Sequence, residues 1–309
     1  MKKISNNIKG ILYILLAMFI LAIQDICIKL LSNNTNLFQI FFFRSVIGLL
    51  IILFFLKFTN RKIILKTHYP ILTLMRCLLF FFGFTCIFIS LSELPYPIAV
   101  TLFFSSPLFM TILSKIILKK NIGLRRWSAV LIGFVGVYLV INPEFNNFNI
   151  YTIFPVLTAL AYSTTIVIQH KTADKDNLFS QTFHLLFAAM LLSLIASIVF
   201  GNGQFNIYES NALQFMFRKW TISFDTSLIL LIVIGFAFSI GILFLFHAYR
   251  IAFPPNIAPY EYTLIIYALL FSWIIWGDTI NSKSIIGLLL IVGGGLYTFA
   301  IEIKNKQFA

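Results

Sequence analysis

Ten apolar stretches, each about long enough to cross a bilayer, follow one another through almost the whole chain. They cover roughly residues 10–31, 37–56, 69–91, 95–118, 126–142, 150–169, 179–200, 226–250, 254–276 and 284–302. A spanning helix needs about 20 mostly apolar residues, because the hydrocarbon core is about 30 Å thick and a helix rises about 1.5 Å per residue. No water in that core can satisfy backbone N–H and C=O groups, so a span must be a helix or part of a closed barrel. A barrel would show alternating segments of about ten residues, and runs such as 11–23 and 228–246 do not alternate. Only 11% of residues are charged, against about 25% in soluble domains. The expected fold is therefore an all-α polytopic membrane protein of ten transmembrane helices. Pro143 closes the fifth span and Pro254-Pro255 separates the eighth from the ninth, because proline cannot continue a helix from the preceding turn.

Positive charge alternates between the loops. The segments that share one side hold Lys2, Lys3, Lys9, Lys57, Arg61, Lys62, Lys66, Lys119, Lys120, Arg125, Lys171, Lys175, Arg250, Lys304 and Lys306. The opposite loops hold Arg218, Lys219 and Lys283. Cytoplasmic loops carry the Lys/Arg excess, so both termini are expected in the cytoplasm, which requires an even number of spans. The net charge of +13 is thus a topology signal for a chain whose main partner is the lipid bilayer. No nucleic-acid partner is expected, since that footprint concentrates basic residues on one polar domain and the longest polar loop, 201–225, is nearly neutral. The lysines and apolar run at the N-terminus superficially resemble a signal peptide. The run is longer than such a region and lacks a small-residue cleavage site, so a retained helix is expected.

The residues also argue against catalysis. There is no HExxH, GxSxG or nucleotide-binding loop, and no pair of carboxylates at helical spacing. Cys27, Cys77 and Cys86 all fall inside spans without metal-type spacing, and the four histidines are scattered. No metal, cofactor or disulfide framework is expected. Transport driven by an ion gradient or by exchange remains the leading class, ahead of an intramembrane enzyme or a channel.

The second half echoes the first. At an offset of 159, Pro95, Ile98 and Ala99 fall on Pro254, Ile257 and Ala258, and Gly136 and Tyr138 fall on Gly295 and Tyr297. The unit is then five spans used twice, residues 1–143 and 144–309. Five is odd, so the second copy is expected upside down relative to the first, as in carriers whose halves rock about a central site. The glycine-rich run Gly287-Leu288-Leu289-Leu290-Ile291-Val292-Gly293-Gly294-Gly295 follows an acidic turn, Trp276-Gly277-Asp278. That arrangement resembles the end of an EamA-type half in the drug/metabolite transporter superfamily. The first half departs from it: Lys119-Lys120 stands in place of the acidic turn, although Gly133-Phe134-Val135-Gly136-Val137 remains. The resemblance extends over about residues 1–302. Within the superfamily the chain looks most like the S-adenosylmethionine uptake carriers of intracellular bacteria. It implies a carrier in a bacterial inner membrane that moves S-adenosylmethionine or another charged metabolite, with S-adenosylhomocysteine as a plausible exchanged product. A proton-coupled exporter of amino acids or cationic drugs is the alternative from the same superfamily. Monomer and homodimer stay open.

A charge at the bilayer centre costs at least about 2.5–3.5 kcal/mol, so each one is a candidate functional group. Six fall within spans: Asp25, Lys29, Arg44, Arg76, Lys115 and Glu261. Counting helical rise, Asp25 lies about 9 Å and Arg44 about 11 Å from one membrane face, while Arg76 and Glu261 each lie about 11 Å from the other. Two layers result, Asp25 with Arg44 and Arg76 with Glu261, which serve either as fixed ion pairs or as substrate and coupling groups. Lys29 and Lys115 are close enough to span ends to snorkel. Gln24 and Gln39 sit beside the outer layer and can hydrogen-bond a polar substrate. Tyr260 and Tyr262 flank Glu261, and at most one of them shares its helix face. A sulfonium or ammonium over an aromatic ring gains about 0.5–2 kcal/mol. Of the histidines, His68 and His170 are expected at the interface, and His184 as a packed, hydrogen-bonded group. Trp127, Trp220 and Trp276 fit interfacial anchors.

Overall fold

The structure, a computed structural model, describes residues 6–58, 66–119, 149–221 and 226–277, with short helical pieces within 128–139 and 282–297. Among these residues every regular element is helical. The helices are α1 (Asn6–Leu31), α2 (Leu37–Phe58), α3 (Pro70–Glu93), α4 (Tyr96–Phe103), α5 (Ser106–Ile117), α6 (Ile153–Thr172), α7 (Leu178–Phe200), α8 (Asn211–Phe217), α9 (Thr226–Ile251), α10 (Pro254–Ile257) and α11 (Thr263–Trp276). Seven stretches among the described residues are long and apolar enough to span a membrane, and Tyr260–Trp276 adds a shorter apolar helix. The expected fifth and tenth spans lie for the most part outside the described residues, as do Lys120, Asp278 and part of the glycine-rich run.

Local chemistry explains where several helices begin and end. Asn36 opens α2 by accepting hydrogen bonds from the backbone N–H groups of Phe38 (2.8 Å) and Gln39 (3.2 Å). Asn177 opens α7 in the same way, accepting from the Ser180 N–H at 2.8 Å. Each supplies an acceptor for a first-turn N–H that has no partner within the helix. Pro70 occupies the first turn of α3, where a missing N–H costs nothing. Gly277 ends α11 at φ +68°, a left-handed conformation that a side chain would disfavour.

Two of the expected spans are not continuous helices. The fourth is interrupted between α4 and α5, where the Ser105 N–H turns back onto the Leu102 carbonyl and Pro107 sits in the first turn of α5. The ninth is interrupted more deeply. Pro254-Pro255 opens α10, a 3₁₀ segment covers Ala258–Tyr262, and α11 starts at Thr263. Prolines explain both breaks, since each lacks an N–H and crowds the preceding turn.

Packing partners come in matched sets. α1 lies along α9 and α3 along α6, α2 packs against both α7 and α9, α3 packs also against α7, and α4 crosses α11. Small residues permit the closest approaches. A Cβ built on Gly83 of α3 would lie 3.1 Å from Ala161 of α6, and one on Gly235 of α9 only 2.7 Å from Ile47 of α2. Without a strong hydrophobic drive between helices in lipid, this close packing is what holds them together.

Polar ties close both ends of the bundle. At the α1–α2 end, Asn36 donates to the Met216 carbonyl (2.8 Å) and the Arg218 carbonyl (2.7 Å), and Arg218 donates to the Ser32 carbonyl (3.1 Å). Glu93 accepts there from Ser210 (2.9 Å) and from the Ala212 N–H (2.7 Å), which docks α8. At the opposite end the Asp176 carboxylate accepts from the Thr67 hydroxyl (2.6 Å), the His68 N–H (2.8 Å) and His68 Nδ1 (3.1 Å). Arg250 clasps the same turn through the carbonyls of Asp176 (2.6 Å) and Ala173 (2.7 Å).

Candidate functional site

A cavity opens where α1, α3, α4, α6 and α9 meet the break that precedes α11. Its walls are mostly apolar: Met18 and Leu21 from α1, Phe84, Ile87 and Leu91 from α3, Val100 and Phe103 from α4, Phe238, Ile242 and Leu245 from α9, and Leu264 from α11. Among these stand six polar side chains, Gln24, Asp25, Tyr96, Thr158, Tyr162 and Glu261. An apolar enclosure with a few convergent polar groups is the usual form of a small-molecule site.

The two carboxylates are held differently. Asp25 accepts from the amide of the adjacent Gln24 at 2.8 Å and from the Tyr96 hydroxyl at 3.4 Å. Glu261 is 1% exposed and receives two hydroxyls on one oxygen, Tyr162 at 2.6 Å and Tyr249 at 2.5 Å on Oε1. Its other oxygen, Oε2, is buried without a hydrogen-bond partner among the described residues, and so is Oε1 of Gln24. The unwound backbone of 258–262 delivers Glu261 into the cavity. Broken helices lining a cavity are where membrane carriers place ligand-binding groups, because freed backbone and side chains can meet a substrate there.

The two expected charge layers do not form as ion pairs. Among the described residues no carboxylate lies within 4.0 Å of either buried arginine; the ion pair found is His68–Asp176, at one end of the bundle. Arg44 is 0% exposed, and none of its three guanidinium nitrogens has a hydrogen-bond partner among the described residues. Aromatic rings surround it instead, with its Cζ 4.0 Å from the Phe238 ring centre, 4.4 Å from Phe41, 5.5 Å from Phe88 and 5.7 Å from Phe84. Arg76 donates through Nη2 to the Gln181 carbonyl at 2.6 Å, and its Nη1 is buried without a partner among the described residues. That carbonyl belongs to a network in which Gln181 donates to the Gln169 carbonyl (3.0 Å) and to Thr172 (2.9 Å), while Gln169 reaches the Phe246 carbonyl (3.2 Å). Equal depth from helical rise does not decide which way a side chain faces.

Of the other expected site residues, only Gln24 joins Asp25 and Glu261 in the cavity wall. Gln39 donates to the Thr221 carbonyl at 2.7 Å and ties down the end of the 201–221 segment. Tyr262 is buried against the Phe104 ring, 5.2 Å between centres, and Tyr260 is half-buried outside the cavity lining. Lys29 caps the end of α3 by donating to the Leu94 carbonyl at 2.8 Å and lies 5.2 Å over the Trp276 ring. His184 is packed as expected, its Nδ1 2.7 Å from the Ser180 carbonyl. His170 is more firmly held than an interfacial residue, at 2.8 Å from the Tyr249 carbonyl. The sequence reading passed over Tyr96, Tyr162 and Tyr249, which hold the two carboxylates. Their signal was available, since a tyrosine deep in a span needs a partner for its hydroxyl.

Comparison with known proteins adds to this geometry. The profile of the EamA-like transporter family matches residues 8–142 and again residues 149–300. An S-adenosylmethionine uptake transporter of Rickettsia prowazekii is 26% identical over 304 residues, 98% of this chain and 97% of that one. A pseudopaline exporter of Pseudomonas aeruginosa is 22% identical, over 92% of this chain and 93% of its own. A riboflavin transporter of Vibrio cholerae is 24% identical, over 84% of this chain and 82% of its own. One crystal structure superposes with a TM-score of 0.65 at 15% identity, covering 94% of this chain and 96% of that chain; the likeness is one of fold.

Proposed function

The chain belongs to the EamA-like transporter family, and on that footing we propose that it is a secondary transporter carrying S-adenosylmethionine into a bacterial cell. It is a transporter and not an enzyme, as the family and its named relatives are. The observation that carries the substrate is the full-length likeness to uptake transporters from several Rickettsia species at 25–26% identity, against 22–24% for the exporter and riboflavin relatives given above. The cavity agrees with it chemically. Two carboxylates and several rings suit a ligand that carries a sulfonium and an ammonium.

The working cycle we infer is alternating access in the inner membrane, energised by exchange for S-adenosylhomocysteine or by an ion gradient. An inverted pair of five-helix repeats supports such a cycle. Exchanging spans one to four for spans six to nine turns the α1–α9 contact into the α6–α3 contact, and the α2–α9 contact into the α7–α3 contact. It leaves the α2–α7 and α4–α11 contacts in place, and the two broken spans occupy matching positions. With the Lys/Arg excess at the α2–α3 end, both termini lie in the cytoplasm and the 201–225 segment faces outward. Cysteine labelling checks this: a cysteine at residue 209 should react with an impermeant reagent from outside, and reaction only from the cytoplasmic side would reverse the topology.

Liposomes containing the purified protein test the substrate. Labelled S-adenosylmethionine should accumulate, faster with internal S-adenosylhomocysteine or a pH gradient. Movement of riboflavin or neutral sugars with S-adenosylmethionine ignored would defeat the assignment.

A further inference from the structure

We propose that the cavity selects its ligand by positive charge and does not read a carboxylate: an organic cation sits with its sulfonium or ammonium group against Glu261 Oε2 and Asp25. The inference rests on the reading that this cavity is the transport site, and it narrows what the site can recognise.

The lining offers acceptors and almost no uncommitted donors. Among the described residues no lysine, arginine or histidine side chain lines it. Its three hydroxyls are already engaged: Tyr96 donates to Asp25, Tyr162 donates to Glu261, and Thr158 donates to the carbonyls of Gly83 and Phe154, both at 2.8 Å. Two acceptor atoms, Glu261 Oε2 and Gln24 Oε1, are buried without partners among the described residues. A buried carboxylate oxygen left in that condition is costly, and a cationic donor relieves it with a charge-assisted bond. A ligand carboxylate placed in the same space would meet two like charges and no side-chain cation among the described lining residues.

Neither buried arginine lines the cavity. Arg44 stands behind the rings of Phe84 and Phe238, which themselves form part of the cavity wall. Arg76 gives Nη2 to the Gln181 carbonyl and does not line the cavity. Tyr162 and Tyr249 act as positioning residues. By placing both hydroxyls on Oε1, they fix the rotation of the carboxyl group and leave Oε2 without a hydrogen bond among the described residues. The rings of Phe84, Tyr96, Phe103, Tyr162 and Phe238 complete a surface suited to a sulfonium.

Calorimetry on the purified full chain in detergent decides this with three probes. They are S-adenosylmethionine, its decarboxylated form, which keeps the sulfonium, and S-adenosylhomocysteine, which keeps the carboxylate and loses the sulfonium charge. Wild-type protein should bind the first two within about threefold of each other and the third about tenfold more weakly. Glu261→Gln should weaken both sulfonium ligands by at least about tenfold, with Tyr249→Phe intermediate. A tenfold loss on removing the carboxylate, or equal binding of S-adenosylhomocysteine, overturns the proposal even where S-adenosylmethionine is transported. If the variants do not fold, the wild-type ranking decides alone. Should S-adenosylmethionine fail to bind while tetraethylammonium binds in a Glu261-dependent way, the substrate assignment falls and cation selection stands. Binding of none of these cations removes the proposal.

Discussion

Around Arg76 the buried polar groups tie helices to one another, whereas Asp25 and Glu261 stand in the wall of a cavity. Arg76, Gln181, Gln169 and Thr172 form a connected network that joins α3, α6, α7 and the Phe246 carbonyl of α9. Its main bonds run to main-chain carbonyls, which cannot leave without moving a helix. In the cavity wall a carboxylate oxygen and an amide oxygen are buried without partners among the described residues. Both regions keep buried atoms without partners among the described residues, Arg76 Nη1 and Gln169 Oε1 in the one and Glu261 Oε2 and Gln24 Oε1 in the other, but the first runs from helix to helix and the second lines a cavity. Arg44 belongs to neither set, being cushioned by rings in place of acceptors.

Substitutions should separate the two regions. The largest effect on transport is expected from Asp25→Asn combined with Glu261→Gln: uptake of labelled S-adenosylmethionine into liposomes falls to background, while melting temperature changes little. Retained uptake would place the substrate elsewhere. The largest effect on stability is expected at Gly235→Ala, whose new Cβ would press on Ile47 at 2.7 Å. Overpacking of this kind costs about 1–3 kcal/mol, so melting temperature should drop while uptake per folded molecule is kept. Gln181→Ala should act in the same sense. It removes the donor to the Gln169 carbonyl and the acceptor for the Gln169 amide, at a cost of about 1–3 kcal/mol for buried groups left without partners. If Gln181→Ala abolished uptake at unchanged stability, the distinction between the regions would collapse.

The smallest effect concerns pH. Burial alone would raise the Asp176 pKa, but hydrogen bonds from Thr67 and from the His68 backbone and ring outweigh it and hold the carboxyl below its usual value. A carboxyl whose folded pKa is the lower one stabilises the fold fully above the ordinary value near 3.9 and loses that contribution as pH falls through the folded value. Melting curves between about pH 3 and 6 should therefore show a loss of stability at the acid end that shrinks in Asp176→Asn. An identical acid loss in that variant would assign it to other groups.

Much of this was legible in the residues. Hydropathy located the seven helices among the described residues that are long and apolar enough to cross a membrane, because in lipid an apolar run of about 20 residues has few alternatives to a helix. The cost of buried charge pointed to Asp25 and Glu261 as inward-facing groups, and both line the cavity. Pairing was beyond reach for two reasons. Rise per residue gives depth but not the direction a side chain faces. Moreover, the depth of Glu261 assumed a continuous helix, while residues 258–262 are 3₁₀, with about 2.0 Å rise per residue. Gln39 was misplaced by the same reasoning: it lies near the expected layer in sequence but faces Thr221. The tyrosines that orient Glu261 come from α6 and α9, 99 and 12 residues before it in the chain, and no local pattern announces such a meeting.

Uptake and melting temperature measured together on Glu261→Gln test the central claim most directly. Glu261 is the buried carboxylate with an unpartnered oxygen in the cavity, and the substitution keeps its size and its ability to meet the Tyr162 and Tyr249 hydroxyls. The account expects a folded protein, melting within a few degrees of the wild type, whose S-adenosylmethionine uptake has dropped by at least about tenfold, as the loss of one charge-assisted bond implies. Wild-type uptake by that folded variant would contradict it.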